Sequence, residues 1–325
     1  MQAPTFQDIQ EALPRVRQVS APTPLYEWPG LCELTGTRFF LKHENHQPVG
    51  AFKVRGGINL VSTLSEEERA GGIMGCSTGN HGQSLAFAAR RFGVQCTIVV
   101  PRNNNPDKVR AIRLLGAEII EAGEDFNEAK HFLETELVDG KRRYVHSANE
   151  PKLIAGVGTQ GLEIFETLPD PDVVIVPVGM GSGVCGTGIV AKHLSPKTEV
   201  IAVQAEKAPA NQLSWKAGSP QTTETAQTWA EGVATRAGAE LTRQIMQSVV
   251  DDFLLVGEDE MRLAAYHILK ETHNLAEGAG AAALAAVLKH KDRFAGKKVV
   301  AVLSGGNLNL AELPEILRLG SAQSA

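Results

Sequence analysis

Cysteine is scarce, and what there is does not pair: Cys32, Cys76, Cys96 and Cys185 show no C-x-x-C spacing. That pattern argues against both a zinc knuckle and a disulfide framework, and it fits thiols kept reduced in a cytosol. Long apolar runs are missing as well. No window reaches the roughly 18 apolar residues of a membrane span, and residues 1 to 20 carry Asp8, Glu11, Arg15 and Arg17 where a signal peptide would be apolar. Nor is there an excess of positive charge. The net charge is -5 and the basic residues are scattered apart from Lys141-Arg142-Arg143, so nucleic acid is not an expected partner. A cytoplasmic protein that binds neither membrane nor nucleic acid is the expectation.

What remains is ordinary globular composition: 325 residues, 43% apolar and 21% charged, enough chain for one large or two medium domains with a substantial core. Strand-like and helical stretches alternate. Thr37 to Lys42 reads as a strand and Ala51 to Leu64 as a helix; Gly71 to Cys76 is a strand, and Ser84 to Phe92 a helix. Further strands are expected at Gln95 to Val100, Glu118 to Glu121, Arg143 to Val145, Val173 to Val178, Val200 to Gln204, Asp252 to Val256 and Lys298 to Leu303, with helical stretches between most of them, Asp125 to Leu137 among these. Such alternation predicts parallel βαβ units, and hence two three-layer α/β/α domains with a cleft lined by the carboxyl ends of strands.

Three strands feed glycine-rich turns. Gly179-Met180-Gly181-Ser182-Gly183 follows a buried strand and opens a helix, so backbone N–H groups there can hold a phosphate. Gly181 to Gly186 also spells the dinucleotide pattern G-x-G-x-x-G, but the next strand ends in Gln204 where a ribose-binding acid is expected. The turn Ser77-Thr78-Gly79-Asn80-His81-Gly82-Gln83 offers hydroxyls, an amide and backbone donors suited to a carboxylate or a phenolate, and Ser304-Gly305-Gly306-Asn307 ends the last strand. An asparagine-glycine turn can equally be only a turn, and Ser304 only a cap. Lys53, in Gly50-Ala51-Phe52-Lys53-Val54-Arg55-Gly56-Gly57, sits beside an aromatic ring, where a desolvated amine becomes a nucleophile. Most lysines near a helix start are solvated surface charges, so the other motifs must decide.

Those four motifs occur in the order seen in serine/threonine dehydratases, and the chain resembles the fold type II pyridoxal phosphate enzymes, serine racemase included, over nearly its whole length. The resemblance implies that Lys53 forms the Schiff base, Phe52 packs beside the ring and Asn80 bonds the ring hydroxyl. It implies that Gly179, Met180, Gly181, Ser182 and Gly183 bind the phosphate, that Ser304 meets the ring nitrogen and that Glu277 lies near the cofactor. Ser77, Thr78, Gly79, Asn80 and His81 would then hold the substrate carboxylate. It further implies a large cofactor domain formed by residues 1–53 and 150–325, a small substrate domain of residues 54–149, no C-terminal regulatory domain, and a homodimer.

The implied reaction is loss of water and ammonia from L-threonine or a related β-hydroxy amino acid, with Lys53 taking the α proton. A neutral serine at the ring nitrogen makes the cofactor a weaker electron sink, which favours prompt loss of the β-hydroxyl. In serine racemases the position of Thr78 is a serine that handles a proton opposite the lysine; the bulkier threonine argues against racemisation. Gln204 and Ala210 stand where metal-dependent relatives place acids, so no metal site is expected there. Ser147-Ala148 replaces a proline and an aromatic, which leaves room beside the β-carbon for a larger substrate such as phenylserine. The readings to be excluded are a racemase, a nicotinamide-dependent oxidoreductase and a silent ligand-binding relative.

Overall fold

An uninterrupted run of β-branched residues suits a strand covered on both faces. In the computed structural model of the chain, which describes residues 1–138 and 140–323, the most apolar runs are indeed central strands. In chain order the strands are β1 (Leu25–Glu27), β2 (Arg38–His43), β3 (Ile73–Cys76), β4 (Cys96–Val100), β5 (Glu118–Glu121), β6 (Arg143–Tyr144), β7 (Val173–Pro177), β8 (Glu199–Ala205), β9 (Asp252–Val256) and β10 (Lys298–Leu303). They form a six-stranded sheet ordered β1-β2-β10-β7-β8-β9 and a four-stranded sheet ordered β5-β4-β3-β6. Every pairing is parallel except that of β1 with β2.

Because strand side chains alternate in direction, each sheet feeds two cores. Val173, Ile175, Val299 and Ala301 enter one with the helix Gly278–Lys289, while Val174, Val176, Val300 and Val302 enter the other with the helix Pro151–Thr167. The smaller sheet divides likewise: Ile73 and Ile98 pack under the helix Asn80–Phe92, and Met74 and Val99 under the helix Phe126–Phe132. Both sheets are therefore the middle of an α/β/α sandwich, as the alternating pattern predicts.

Two elements depart from the sequence expectation. The helix read as starting at Ser84 starts at Asn80, because the Ser77 hydroxyl accepts hydrogen bonds from the N–H groups of Gly79 and Gly82, both at 2.9 Å, and so caps a helix whose first turn looks like loop composition. The stretch Asp125 to Leu137 is an α-helix only to Phe132 and continues as a π-helical turn over Leu133–Leu137. All four cysteines are free, with Cys76, Cys96 and Cys185 buried. Among the described residues no helix is long and apolar enough to cross a membrane.

The strand order places the ligand-binding position. From β7 the chain runs outward through β8 to β9, and β10 then returns to the opposite side of β7; at such a switch point loops leave in opposite directions and open a crevice at the carboxyl ends of the strands. The glycine loop follows β7 and Ser304 follows β10, so both lie at this crevice. The segment after β2 joins them, through the bridge Ala51 to Gly305 and through a 3.0 Å hydrogen bond from the Phe52 N–H to the Ser304 carbonyl.

Candidate active site

Lys53 is the first residue of the helix Lys53–Ser62, which has no side-chain cap at its start. Its amine donates to the Ser182 hydroxyl at 2.9 Å and lies 5.3 Å from the centre of the Phe52 ring. Withdrawal from water disfavours the ammonium and lowers its pKa to about 8. Ser182 belongs to the glycine loop and opens the helix Ser182–Leu194. The loop's carbonyls are tied away from the amine: Asn211 donates to the Gly179 oxygen at 2.7 Å, and Thr242 to the Met180 oxygen at 2.8 Å. The helix's opening N–H groups have no intrahelical acceptor and carry the positive end of the macrodipole.

Glycine is required at two places in this loop. Gly181 has φ +96°, and at Gly179 an added Cβ would stand 2.2 Å from the Gly232 carbonyl oxygen. A desolvated amine, a row of free donors and an aromatic side chain at the cavity wall fit pyridoxal phosphate, whose aldehyde, phosphate and ring need those three things.

The second turn faces the first across a cavity of about 640 Å³ that is lined by Lys53, Thr78, Asn80, Met180, Glu277 and Ser304 among others. Ser77 is buried and its hydroxyl is occupied as the helix cap, so its contribution to a bound group is through the loop it shapes. Thr78 and Gly79 border the cavity. Asn80 donates to Glu277 at 2.6 Å and accepts from Asn307 at 2.8 Å, which fixes its amide. His81 lies in the helix with its ring buried near Gly75; burial, first of all, lowers its pKa to about 3, so it is neutral. Glu277 sits at the start of the helix Gly278–Lys289, its pKa raised by burial against the opposing pull of Lys108. Ser304 is buried at the end of β10 and borders the same space. The residues implied to hold cofactor and substrate thus gather at one crevice, with the Ser77 hydroxyl turned onto Gly79 and Gly82.

The sequence reading missed Lys108. Its amine donates to Glu231 at 2.6 Å and stands 3.6 Å from Glu277, joining a helix of the four-stranded unit to the six-stranded one. Its stem covers Gly79, where an added Cβ would meet Lys108 Cδ at 2.7 Å. A lone lysine in a helix that begins with proline looks like surface, and nothing local in the sequence links it to Glu231. Of the two residues in the loop after β6, Ser147 borders the cavity whereas Ala148 is fully buried. Gln204 is buried; its amide nitrogen faces the Thr235 hydroxyl at 3.4 Å and its oxygen accepts from the Gln212 N–H at 3.2 Å. Gly186 packs on Gly158 of a neighbouring helix. Neither residue presents an acid to a ribose.

Comparison with known proteins gives the family. The family described as "Pyridoxal-phosphate dependent enzyme" matches residues 16–305. An L-threonine ammonia-lyase of Thermotoga maritima is 40% identical over 320 residues, covering 98% of this chain and 80% of that protein. Among solved structures, the processed form of threonine deaminase isoform 2 from Solanum lycopersicum superposes with a TM-score of 0.90 at 31% identity, covering 98% of this chain and 91% of that one. Maize serine racemase superposes with a TM-score of 0.91 at 28% identity, covering 99% of both chains.

Proposed function

The chain belongs to the pyridoxal-phosphate dependent enzymes, and from that premise we propose that it is a dehydratase converting L-threonine, or a related β-hydroxy amino acid, to a 2-oxo acid and ammonia. The observation that carries this reading is the Lys53 amine, desolvated and 2.9 Å from the hydroxyl that opens the phosphate-type helix. The assignment of residues to roles is part of the proposal. Lys53 would hold the cofactor's aldehyde carbon, the N–H groups of Gly179 to Gly183 its phosphate, Asn80 its ring hydroxyl and Ser304 its ring nitrogen, with Phe52 beside the ring and Glu277 nearby.

Bound pyridoxal phosphate supplies an electrophilic carbon for the substrate amine and a conjugated ring that delocalises charge from the α-carbon. The protein does the rest. Thr78 and the start of the helix Asn80–Phe92 orient the substrate carboxylate by the Thr78 hydroxyl and by the backbone N–H groups that Ser77 does not occupy, those of Gly79 and Gly82 being bonded to its hydroxyl. The Lys53 amine would take the α proton; an amine with a lowered pKa is a competent base near neutrality. Ser182 keeps its nitrogen in place through that transfer. Ser304, a hydroxyl and not a carboxylate, gives the ring nitrogen no full negative charge, which suits elimination better than a long-lived carbanion. Ser147 at the cavity wall leaves space for a larger β-substituent, so phenylserine belongs in the substrate panel. We further propose a two-lobed homodimer working in the cytoplasm.

The test is a visible spectrum of the purified protein followed by 2-oxo acid detection with threonine, serine, 3-hydroxyaspartate and phenylserine. An imine absorption and 2-oxo acid release are expected. A colourless protein after incubation with pyridoxal phosphate, or inversion of the amino acid without 2-oxo acid, would overturn the reading.

A further inference from the structure

Two residues beyond Lys53, on the same first helical turn, Arg55 is wholly buried, and so are the groups that hold it: Glu44 at 0%, Lys42 at 1% and Glu163 at 3% exposure. Its guanidinium forks onto both carboxylates. Nε and Nη2 donate to Glu44 at 2.7 and 2.9 Å, while Nη1 and Nη2 donate to Glu163 at 2.7 and 2.6 Å. Nη1 also reaches the Thr159 hydroxyl at 3.1 Å, and Lys42 donates to Glu163 at 2.6 Å and to the Thr23 carbonyl at 2.7 Å. Two cations and two anions balance, so the set adds little net field at Lys53. Buried ion sets of this kind are weak sources of stability, and fixing one arrangement among several is a role they can play.

Every one of these anchors lies on the six-stranded side of the molecule. Lys42 is in β2, Glu44 follows it, and Thr159 and Glu163 are in the helix Pro151–Thr167 packed on that sheet. Glycines bring the backbones together there: an added Cβ at Gly156 would stand 2.5 Å from the Arg55 carbonyl oxygen. From the four-stranded side the first turn receives one side-chain hydrogen bond, from the Ser84 hydroxyl to the Lys53 carbonyl at 2.6 Å, and the rest of the helix packs against that unit through Gly57 on Ser84 and through Leu60 and Val61. Apolar contacts and a hydroxyl bond can slide and reform. The forks cannot part without stranding a charge.

We propose that Arg55 is a positioning residue whose two carboxylate forks lock the Lys53 turn to the six-stranded unit, so that the amine keeps its place against Ser182 while the four-stranded unit shifts. This deepens the reading of Lys53 as the attachment point and rests on it. The cluster acts through Lys53 and touches neither cofactor nor substrate.

The experiment follows imine absorption as apoprotein is mixed with pyridoxal phosphate, together with kcat, KM and melting temperature, for wild type, Arg55→Lys and Thr159→Val. Arg55→Lys keeps the charge but cannot fork onto both carboxylates. Misplacing the amine by an ångström is expected to slow cofactor capture and kcat together by about 10- to 100-fold, with KM within about twofold. Thr159→Val removes the hydroxyl that accepts from Arg55 Nη1 and donates to the Gly156 carbonyl, and is expected to slow both by about two- to fivefold. If Arg55→Lys folds, melts lower and yet captures cofactor at the wild-type rate with wild-type kcat, its role is structural and the inference fails. Should Arg55→Lys not fold, an unchanged capture rate in Thr159→Val overturns it equally. A wild-type protein that never develops the absorption overturns the parent reading, whereas normal wild type with an unaffected variant overturns this inference alone.

Discussion

The turns after β3 and after β7 start from the same plan and end differently. Each follows a buried parallel strand and opens a helix of 13 residues. After β3, Ser77 turns its hydroxyl back onto the N–H groups of Gly79 and Gly82, so part of the helix's donor capacity is used internally. Both helices have a glycine N-cap, Gly79 and Gly181, but after β7 no hydroxyl takes the part of Ser77, and Asn211 and Thr242 restrain only the carbonyls. The first turn therefore has few donors left, enough for a carboxylate. The second keeps its N–H groups for an anion with more oxygens. Size and charge of the bound group follow from how much each turn satisfies itself.

The largest break in this contrast comes from removing what spans it. Lys53→Ala leaves both turns intact and is expected to abolish the imine absorption and to lower turnover below about 10⁻⁴ of wild type, measured by 2-oxo acid release. Next is Gly181→Ala. A positive φ is strained for alanine, and the new Cβ would stand 3.0 Å from Thr242 Cβ, so the Kd for pyridoxal phosphate is expected to rise about 10- to 100-fold in an equilibrium titration. Ser77→Ala sharpens the comparison from the other side. Loss of the cap is expected to cost about 1 kcal/mol in denaturant unfolding and to raise KM several-fold, with cofactor affinity almost unchanged.

The remaining prediction needs no substitution and is a pH dependence. The Lys53 pKa is lowered to about 8 in the folded protein, and only the neutral amine attacks an aldehyde. Cofactor capture by the apoprotein is thus expected to rise about tenfold per pH unit below 8 and to level off above it. The sign for stability is set as well. A folded-state pKa below the unfolded one makes the unfolded chain bind the extra proton between pH 8 and the ordinary lysine range, so the apoprotein gains stability as pH rises through that window. The gain should vanish in Lys53→Ala.

Much of this was legible in the sequence because it is written in short segments. Strands such as Asp252–Val256 and Lys298–Leu303 are runs whose composition alone sets their ends. The glycine loop and the Lys53 motif announce themselves by residue type and by position after a strand. What was not legible depends on distance along the chain. The start of the helix at Asn80 hinges on one serine hydroxyl competing with loop-like composition. Lys108 meets Glu231 across 123 residues, and Arg55 meets Glu163 across 108; a charged residue gives no local sign that it will be buried with a partner so remote.

The contact of Gly156 with the Arg55 carbonyl gives the molecule an adjustment screw outside the crevice. A methyl group placed there would push the Lys53 helix as a rigid rod and alter the spacing between amine and phosphate seat without touching either. Variation at this one position would retune the enzyme from its back.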